Sequence, residues 1–192
     1  MSVRVVIAED EAIIRLDLKE TLEEEGYLVV GETGRGDKAV DLVRELQPDL
    51  AILDIKMPGM DGLEAARLIS KDRICGVLIL TAFSQKEVIE EARDAGALAY
   101  LVKPFQKNDL VPAIEVAIGR FRELQVLNGE IEELGEQLEA RKTIDRAKGL
   151  LMDQYSMNEA DAYGFIQRGA MNHRATMRAV AEMVIAGTLK PE

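Results

Sequence analysis

The sequence predicts an α/β fold followed by an all-α region: a five-stranded, parallel, doubly wound sheet, then a coiled-coil helix, then a small three-helix domain. Three observations predict this arrangement. Between residues 3 and 105, short apolar runs alternate with amphipathic segments, as in a parallel sheet covered by helices on both faces. From residue 110 to 138, an apolar residue recurs every three or four positions. The remaining segments have helical character without strands.

The strands are predicted from apolar runs bounded by charged or turn residues, which is typical of strands buried on both faces. The five predicted strands are residues 3–8, 27–30, 50–53, 77–80 and 97–102. The helices between them are predicted from apolar residues at helical spacing, with glycine or proline at their ends. The four predicted helices are residues 11–25, 37–46, 62–69 and 86–95. The first helix carries a broad apolar stripe formed by Ile13, Ile14, Leu16, Leu18 and Leu22.

The helix that follows has a heptad pattern with one early three-residue step. Its apolar positions are Leu110, Ile114, Ala117, Phe121, Leu124, Leu127, Ile131, Leu134 and Leu138. Residues 122–140 have no second apolar element beside them to cover a long stripe, so the pattern favours a dimeric coiled coil. The predicted dimerisation residues are Leu124, Leu127, Ile131, Leu134 and Leu138. The alternative is an amphipathic helix that packs on its own domain.

Three helical pieces are predicted in the tail. The first, residues 143–155, continues the long helix. The second begins at a capping box, Ser156 to Glu159, and runs to about Arg168, with a turn at Asn172 and His173. The last covers residues 176–185. The domain boundaries are therefore predicted as 1–120 for the α/β domain, 121–138 for the coiled coil and 139–192 for the helical tail.

The composition excludes several classes of protein. A hydrophobic content of 47% supports a real core and excludes wholesale disorder, and that core is aliphatic because aromatics make up only 4%. The single cysteine and single histidine exclude an internal disulfide and argue against a zinc site, which fits a reducing cytoplasm. No apolar run approaches the roughly 20 residues of a membrane span, and the first residues lack the features of a signal peptide.

The net charge of −11 is unevenly distributed. Residues 140–192 carry a net charge of +2, so the rest of the chain carries −13. This balance does not indicate a protein that coats nucleic acid. It is compatible with a small, local phosphate-binding surface in the tail.

Carboxylates follow two of the predicted strands at the points where these strands end. Glu9 and Asp10 follow the first strand, and Asp54 follows the third. Because these ends meet at one edge of a parallel sheet, the three carboxylates should repel one another and need a cation, and hard oxygen ligands suit Mg²⁺. A carboxylate beside Mg²⁺ can attack phosphorus. Lys103 would neutralise the transferred group, and Thr81 would offer a hydroxyl to a phosphate oxygen.

A single acidic pair after a strand is usually a helix cap or solvated surface. Here the features coincide at consecutive strand ends, and residues 1 to about 120 resemble a receiver domain of the CheY-like response regulators, whose sheet is flavodoxin-like. The matching segments are VVIAEDE, with Glu9 and Asp10; LDIKMPGMDG, with Asp54; LTA, with Thr81; and AYLVKP, with Tyr100, Lys103 and Pro104.

The resemblance implies a role for each matched residue. A sensor histidine kinase would phosphorylate Asp54. Mg²⁺ would be held by Glu9, Asp10, Asp54 and the backbone carbonyl of Lys56. Thr81 and Tyr100 would form a switch pair, and the Lys103–Pro104 bond would be cis. Glu9 stands where the family more commonly has Asp, and it can reach the metal through a water molecule.

The tail contains basic residues that could line one face: Arg141, Lys142, Arg146, Lys148, Arg168, Arg174 and Arg178. On composition alone they form an ordinary solvated surface. However, the segments RKTIDRAKGLLM, ADAYGFIQRGAM and NHRATMRAVAEMVI resemble the ANTAR domain over about residues 139–185. The resemblance implies binding to paired RNA hairpins in nascent transcripts. The candidate RNA-binding residues are Arg141, Arg146, Lys148, Arg168, His173 and Arg174. Tyr155, Tyr163 and His173 can stack on bases, although Tyr163 and Phe165 are favoured as core residues.

The sequence therefore predicts a cytoplasmic two-component response regulator that acts in transcription antitermination and has no membrane partner. Phosphorylation of Asp54 would favour a homodimer through the heptad stripe and bring two tails together on RNA hairpins. The alternative is a receiver whose tail docks a protein partner or DNA. A free-standing enzyme is disfavoured because no signature of a substrate pocket follows the carboxylate site.

Overall fold

The structure is a computed structural model, and it describes residues 2–82 and 85–191. The chain divides into two compact units, Met1–Gln125 and Val126–Glu192. Within the first unit lies a five-stranded sheet covered by helices. The second unit is helical. One long helix, α5 (Lys107–Tyr155), runs through both units.

All strands of the sheet are parallel, and their order is β2-β1-β3-β4-β5. The strands are β1 (Arg4–Ala8), β2 (Leu28–Thr33), β3 (Leu50–Asp54), β4 (Gly76–Thr81) and β5 (Ala99–Val102). This confirms the predicted doubly wound fold. The strand order reverses between β1 and β3, and in sheets of this kind the crevice at the reversal holds the ligand. The carboxyl ends of β1 and β3 are therefore where a site is expected.

Two apolar layers sandwich the sheet, because successive residues of a strand point to opposite faces. In β3, Ala51 and Leu53 pack on one side with α2 (Gly36–Leu46) and α3 (Gly62–Asp72). Leu50 and Ile52 pack on the other side with α1 (Ala12–Glu24) and the beginning of α5. The remaining helix of this unit is α4 (Lys86–Asp94).

The prediction of a broad apolar stripe on α1 was wrong. Leu18 and Leu22 are fully buried and Ile14 is partly buried, but Ile13 is 85% exposed and Leu16 is 56% exposed. Residues one turn apart share a helix face, so positions 14, 18 and 22 all lie toward the sheet. Positions 13 and 16 lie on other faces of the helix.

The apolar positions of the heptad pattern on α5 lie in two different environments. Its first positions, Leu110, Ile114 and Ala117, are fully buried in the core of the first unit. The later positions are exposed, from 44% at Leu124 to 66% at Ile131. We call the five exposed residues Leu124, Leu127, Ile131, Leu134 and Leu138 the apolar stripe of α5. The alternative of a helix packed on its own domain therefore holds before Phe121 and not along the stripe.

The second unit has a small core made by α5, α6 (Glu159–His173) and α7 (Met177–Ile185). Its buried residues are Ala147, Leu151, Ala162, Ile166, Val180, Ala181 and Val184. The predicted capping box was wrong: the side chain of Asn158, not Ser156, accepts a hydrogen bond from the Asp161 amide at 2.9 Å. Ser156 has a φ of 53°, whereas an N-cap residue has an extended backbone.

The predicted turn at Asn172 and His173 was also wrong, since α6 continues to His173. The helix ends at Arg174, which has a φ of 50° in the left-handed region. Left-handed residues commonly end helices, and glycine is usual there because other residues pay a steric cost. An arginine gave no sequence signal for this end.

Cys75 lies in the core of the first unit and is 2% exposed. Burial raises the pKa of its thiol to about 12. Since the thiolate is the reactive form of cysteine, this side chain should be inert in the folded protein.

Within the described residues, no helix is both long enough and apolar enough to cross a membrane.

Tyr27, just before β2, contacts α5: its hydroxyl donates a hydrogen bond to Glu115 Oε1 at 2.9 Å. Burial, and then the bond to Glu115, raise the pKa of Tyr27 to about 12. An unfolded tyrosine has a pKa of about 10. The folded state therefore keeps this proton longer, so its contribution to stability is complete below about pH 10 and is lost as the pH rises toward 12.

We expect one of the four tyrosines to titrate late when tyrosinate absorbance is followed against pH. Tyr27→Phe should remove this late step. Tyr163→Phe, at an exposed position, should leave it in place. Loss of the late step in the Tyr163 variant instead would contradict the assignment.

Candidate functional site

The three acidic residues predicted at the strand ends lie together. Glu9 and Asp10 follow β1, and Asp54 is the last residue of β3, so the parallel pairing of these strands brings their side chains to one edge of the sheet. Each offers a carboxylate oxygen, and these oxygens all lie within 4.8 Å of one another. Glu9 is fully buried and Asp54 is 6% exposed, whereas Asp10 is exposed.

Lys103 follows β5 and joins two of these carboxylates. Its Nζ lies 2.5 Å from Glu9 Oε2 and 3.0 Å from Asp54 Oδ1. Its backbone amide donates a hydrogen bond to the carbonyl oxygen of Thr81 at 2.7 Å, which fixes the end of β5 beside β4. The Lys103–Pro104 peptide bond is cis, as the resemblance implied, and Pro104 is exposed.

The electrostatics of the cluster follow from its burial. Burial raises the pKa of Glu9, and the negative charge of Asp54 raises it further, while Lys103 opposes both effects. Burial by itself would lower the pKa of Lys103, but its bonds to Glu9 and Asp54 outweigh burial and raise this pKa. Lys103 is thus held as a cation between two of the three closely spaced carboxylates. This set of hard oxygen donors fits a divalent cation such as Mg²⁺.

The loop between β3 and α3 is held against the end of β3. The Gly62 amide donates to the Ile55 carbonyl oxygen at 2.8 Å, and Asp61 caps α3 by accepting from the Glu64 amide at 2.8 Å. A side chain at Gly62 would overlap the carbonyl oxygen of Asp54. Only glycine therefore fits beside the backbone of Asp54.

A cleft of about 210 Å³ opens beside Asp54. Asp10, Lys56, Thr81 and Lys103 are among the residues that line it. Lys56 is exposed in the loop after β3, and Thr81 is 2% exposed at the end of β4. The structure thus brings most of the predicted site residues around one small space.

Tyr100 lies elsewhere. Its side chain is 44% exposed and lines a separate apolar groove of about 450 Å³ formed by α4, β5 and α5, together with Ile89 and Val116. The predicted switch pair is therefore divided between two neighbouring surfaces, with Thr81 at the acidic cleft and Tyr100 in the groove.

The predicted RNA-binding residues of the second unit differ in their accessibility. Arg141, Arg146, Arg168, His173 and Arg174 are exposed. The Lys148 side chain is only 15% exposed, and its Nζ lies 2.9 Å from both Asp145 and Glu159. The sequence did not reveal this pairing because Glu159 belongs to the next helix. Lys148 thus bridges α5 and α6, and a phosphate would compete with two carboxylates for its ammonium group.

The expectation that Tyr163 belongs to the core was wrong. Its side chain is 45% exposed, whereas Phe165 packs against the core of the second unit. Tyr155 is also exposed, at 39%. Both tyrosines can therefore stack on a ligand.

Sequence reasoning missed two arginines that contact the loops after β1 and β3. Arg15 Nη1 donates a hydrogen bond to the carbonyl oxygen of Glu9 at 2.5 Å. Arg35 lies against Gly59 in the loop after β3. Neither contact has a signature in the sequence: Arg15 reaches back to the loop just before its own helix, and Arg35 contacts a loop that is distant along the chain.

Comparison with known families agrees with this geometry. Residues 5–115 match the response regulator receiver domain, and residues 132–185 match the ANTAR domain. The chain belongs to the response regulators, with an N-terminal receiver domain and a C-terminal ANTAR domain. This confirms both resemblances found in the sequence.

Individual relatives point the same way. The chain is 57% identical to the transcriptional regulatory protein PdtaR of Mycobacterium tuberculosis over 182 residues, which cover 95% of this chain and 89% of that protein. It is 39% identical to the chemotaxis protein CheY of Thermotoga maritima, over 59% of this chain and 96% of CheY.

Among solved structures, the receiver domain of the putative response regulator NarL from M. tuberculosis superposes with a TM-score of 0.59 at 30% identity. The match covers 62% of this chain and 97% of that domain. Receiver domains bind Mg²⁺ through acidic residues, and the cluster of Glu9, Asp10 and Asp54 is of this kind. A receiver domain implies a histidine kinase as partner, and an ANTAR domain implies RNA binding.

Proposed function

We propose that this protein is a phosphorylation-controlled RNA-binding regulator that acts in transcription antitermination. A sensor histidine kinase phosphorylates Asp54, phosphorylation favours pairing of two copies through the apolar stripe of α5, and the paired ANTAR domains bind RNA hairpins in nascent transcripts. The observation that carries the proposal is the contact of Lys103 with Glu9 and Asp54 at the end of the sheet. This contact places a lysine beside the proposed phosphate acceptor, in the same chain as an ANTAR domain.

The proposed phosphoryl transfer uses residues that already lie around the cleft. A carboxylate oxygen of Asp54 attacks phosphorus, the bond from phosphorus to the histidine nitrogen of the kinase breaks, and that imidazole keeps the electron pair and takes up a proton. Lys103, 3.0 Å from Asp54, offsets the charge of the phosphoryl oxygens. Thr81 directs its hydroxyl to one of these oxygens.

Mg²⁺ would be held by Asp10, Asp54, the backbone carbonyl of Lys56 and Glu9, the last directly or through water. When bound, it supplies further positive charge to the transferred group.

The proposed switch connects the cleft to the neighbouring groove. Thr81 turns toward the phosphate on Asp54, and Tyr100, now 44% exposed, moves inward behind it. The groove that contains Tyr100 is also lined by Val116 and Arg120 of α5. A movement of Tyr100 therefore changes the groove beside Val116 and Arg120, which lie on α5 just before the apolar stripe begins.

The charges that flank the stripe favour a parallel pair. With Leu124, Ile131 and Leu138 at heptad position a, positions g and e of parallel helices face each other across the interface. Glu123 and Glu130 at position g would then face Asn128 and Gly135 of the second copy, and Gln137 would face Lys142. An antiparallel pair would bring position g to position g and set glutamates against glutamates.

A parallel pair also places the two ANTAR domains at the same end of the paired helices. A single small module binds weakly, whereas two linked modules raise each other's effective concentration. The proposed RNA contacts are the exposed residues Arg141, Arg146, Arg168, His173 and Arg174, with Tyr155 and Tyr163 as stacking residues. With these few positive charges, binding should weaken moderately as salt rises.

The test compares Ile131→Asp with Val126→Asp. Both residues are strongly exposed, at 66% and 62%, but only Ile131 belongs to the stripe. After phosphorylation by acetyl phosphate, we expect wild type and Val126→Asp to double in mass by light scattering and to bind an RNA with two hairpins. Ile131→Asp should remain monomeric and lose most of this binding, because a buried unpaired carboxylate disfavours pairing.

Arg168→Ala separates the two parts of the proposal, since it should dimerise normally but bind RNA weakly. An unchanged mass of the wild type on phosphorylation would refute the dimerisation step. Failure of the phosphorylated wild type to bind the RNA, together with capture of duplex DNA or a protein, would favour the docking alternative.

A further inference from the structure

The segment between β2 and α2 packs closely against the loop that follows Asp54. Gly36 begins α2, and a side chain there would overlap the carbonyl oxygen of Met60. Gly59 has a φ of 83°, which favours glycine, and a methyl group at this position would lie 2.6 Å from Arg35 Nη2 and 3.0 Å from Asp37 Oδ1. Three consecutive residues of one segment, Arg35 to Asp37, therefore lie against two consecutive residues of the other, Gly59 and Met60.

Arg35 and Asp37, both on the α2 side of this contact, form a bidentate ion pair. Arg35 Nε donates to Asp37 Oδ1 at 3.0 Å, and Arg35 Nη2 donates to Asp37 Oδ2 at 2.9 Å. The planar guanidinium and the carboxylate are thus joined by two parallel hydrogen bonds, and the edge of this pair lies on Gly59. The Arg35 amide also donates to the Thr33 hydroxyl at 3.2 Å, which attaches the pair to the end of β2.

The contacted loop is the part of the site that is held at both ends. Gly62 is packed against the backbone of Asp54, and Asp61 caps α3. Between these anchors and Asp54 lies Lys56, which lines the acidic cleft. The hydrogen bonds described above hold this loop at Asp61 and Gly62, whereas the ion pair contacts it at Gly59, nearer to its middle.

We infer that the Arg35–Asp37 ion pair is a clamp that positions the loop between β3 and α3, and with it the backbone carbonyl of Lys56, for Mg²⁺. The inference rests on the proposed function, in which this carbonyl is a metal ligand. Arg35 and Asp37 are positioning residues, since they lie against Gly59 and act on the metal through the loop. Groups that hydrogen-bond directly to a metal ligand contribute about 10- to 100-fold to metal affinity, so a clamp that acts three residues away from Lys56 should contribute at the lower end of this range.

The experiment is a double-mutant cycle on the full chain, with MgCl₂ titrated by calorimetry and by backbone NMR shifts. Arg35→Ala and Asp37→Ala are each expected to weaken Mg²⁺ binding about tenfold. The double variant should bind no more weakly than either single variant, because the two side chains act as one unit. Thermal unfolding should change little, since both side chains are substantially exposed. NMR shifts of the Lys56 and Gly59 amides should respond to the variants in the absence of Mg²⁺.

Lys38→Ala is the matched control. Lys38 forms an exposed ion pair with Asp41 at 3.1 Å within α2. The Mg²⁺ affinity of the Lys38→Ala variant should equal that of the wild type. Wild-type affinity in Arg35→Ala, or losses that simply add in the double variant, would overturn the clamp while leaving the metal site intact. Failure of the wild type to bind Mg²⁺ would overturn the metal part of the proposed function as well.

Discussion

Replacing Asp54 with asparagine should abolish phosphate uptake from acetyl phosphate and from a kinase. The amide has nearly the shape of the carboxylate but lacks its nucleophilic charge. The bond between Lys103 and Glu9 at 2.5 Å does not involve Asp54, so the surrounding cleft should keep its form. Phosphorylation is measured by intact mass and by phosphate-affinity electrophoresis, with thermal unfolding as the check on folding.

Asp94→Asn is the matched control, because Asp94 is an exposed carboxylate that pairs with Arg93 away from the cleft. It should take up phosphate as the wild type does. If the Asp54 variant still gained an acid-labile phosphate, another carboxylate would be the acceptor and the proposed mechanism would be wrong. The dimer formed on addition of acetyl phosphate should disappear together with the modification.

The second large effect is expected for Gly62→Ala. The added methyl group would overlap the carbonyl oxygen of Asp54, which belongs to a backbone that cannot move aside without disturbing β3. Overpacking of this kind typically costs about 1 to 3 kcal/mol, and a clash with backbone should lie at the upper end. We expect Tm to fall by several degrees. Phosphate uptake should also slow, because Asp54 is displaced.

Gly129→Ala is the matched control: it adds the same methyl group, but it should not lower the stability of the protein. Gly129 lies in α5, and a methyl group there would meet no atom within 4 Å. Alanine in an exposed helix is about 1 kcal/mol more favourable than glycine, so this variant should be as stable as wild type or more so. Calorimetry of both variants distinguishes a steric effect from a general preference for glycine. A wild-type Tm in Gly62→Ala would contradict the close packing beside Asp54.

The sheet and the composition of the acidic cleft were predictable because both depend on local patterns. Strands buried on both faces are continuous apolar runs, and in a parallel sheet their carboxyl ends meet at one edge. A residue just after such a run, such as Glu9 or Asp54, can therefore be placed at that edge without any knowledge of side-chain contacts. Lys103 followed in the same way from the end of β5.

Features that depend on packing between elements were not predictable. Leu18 and Leu16 have the same side chain and neighbouring positions on α1, yet one is fully buried and the other is 56% exposed, because only the exact helix face decides. In the sequence, Lys148 fits a basic surface, but in the structure its ammonium group pairs with Glu159 of the next helix.

The predicted helix boundaries in the tail were wrong for a related reason. Ser156 and Asn158 are both good capping residues, and the choice between them is made by backbone angles rather than by composition. The contact of Arg35 with Gly59 likewise joins two loops that are far apart in the sequence.

The burial of Cys75 has a practical consequence for spectroscopy. Because the chain has a single cysteine and this thiol is protonated and buried, the native protein should not react with maleimide or methanethiosulfonate labels. The variant Val126→Cys, at a position of α5 that is 62% exposed and lies outside the apolar stripe, would then be the preferred attachment point for a spin label, without removal of the native cysteine. Inter-spin distances between two labelled copies would report helix pairing, and its direction, directly in solution.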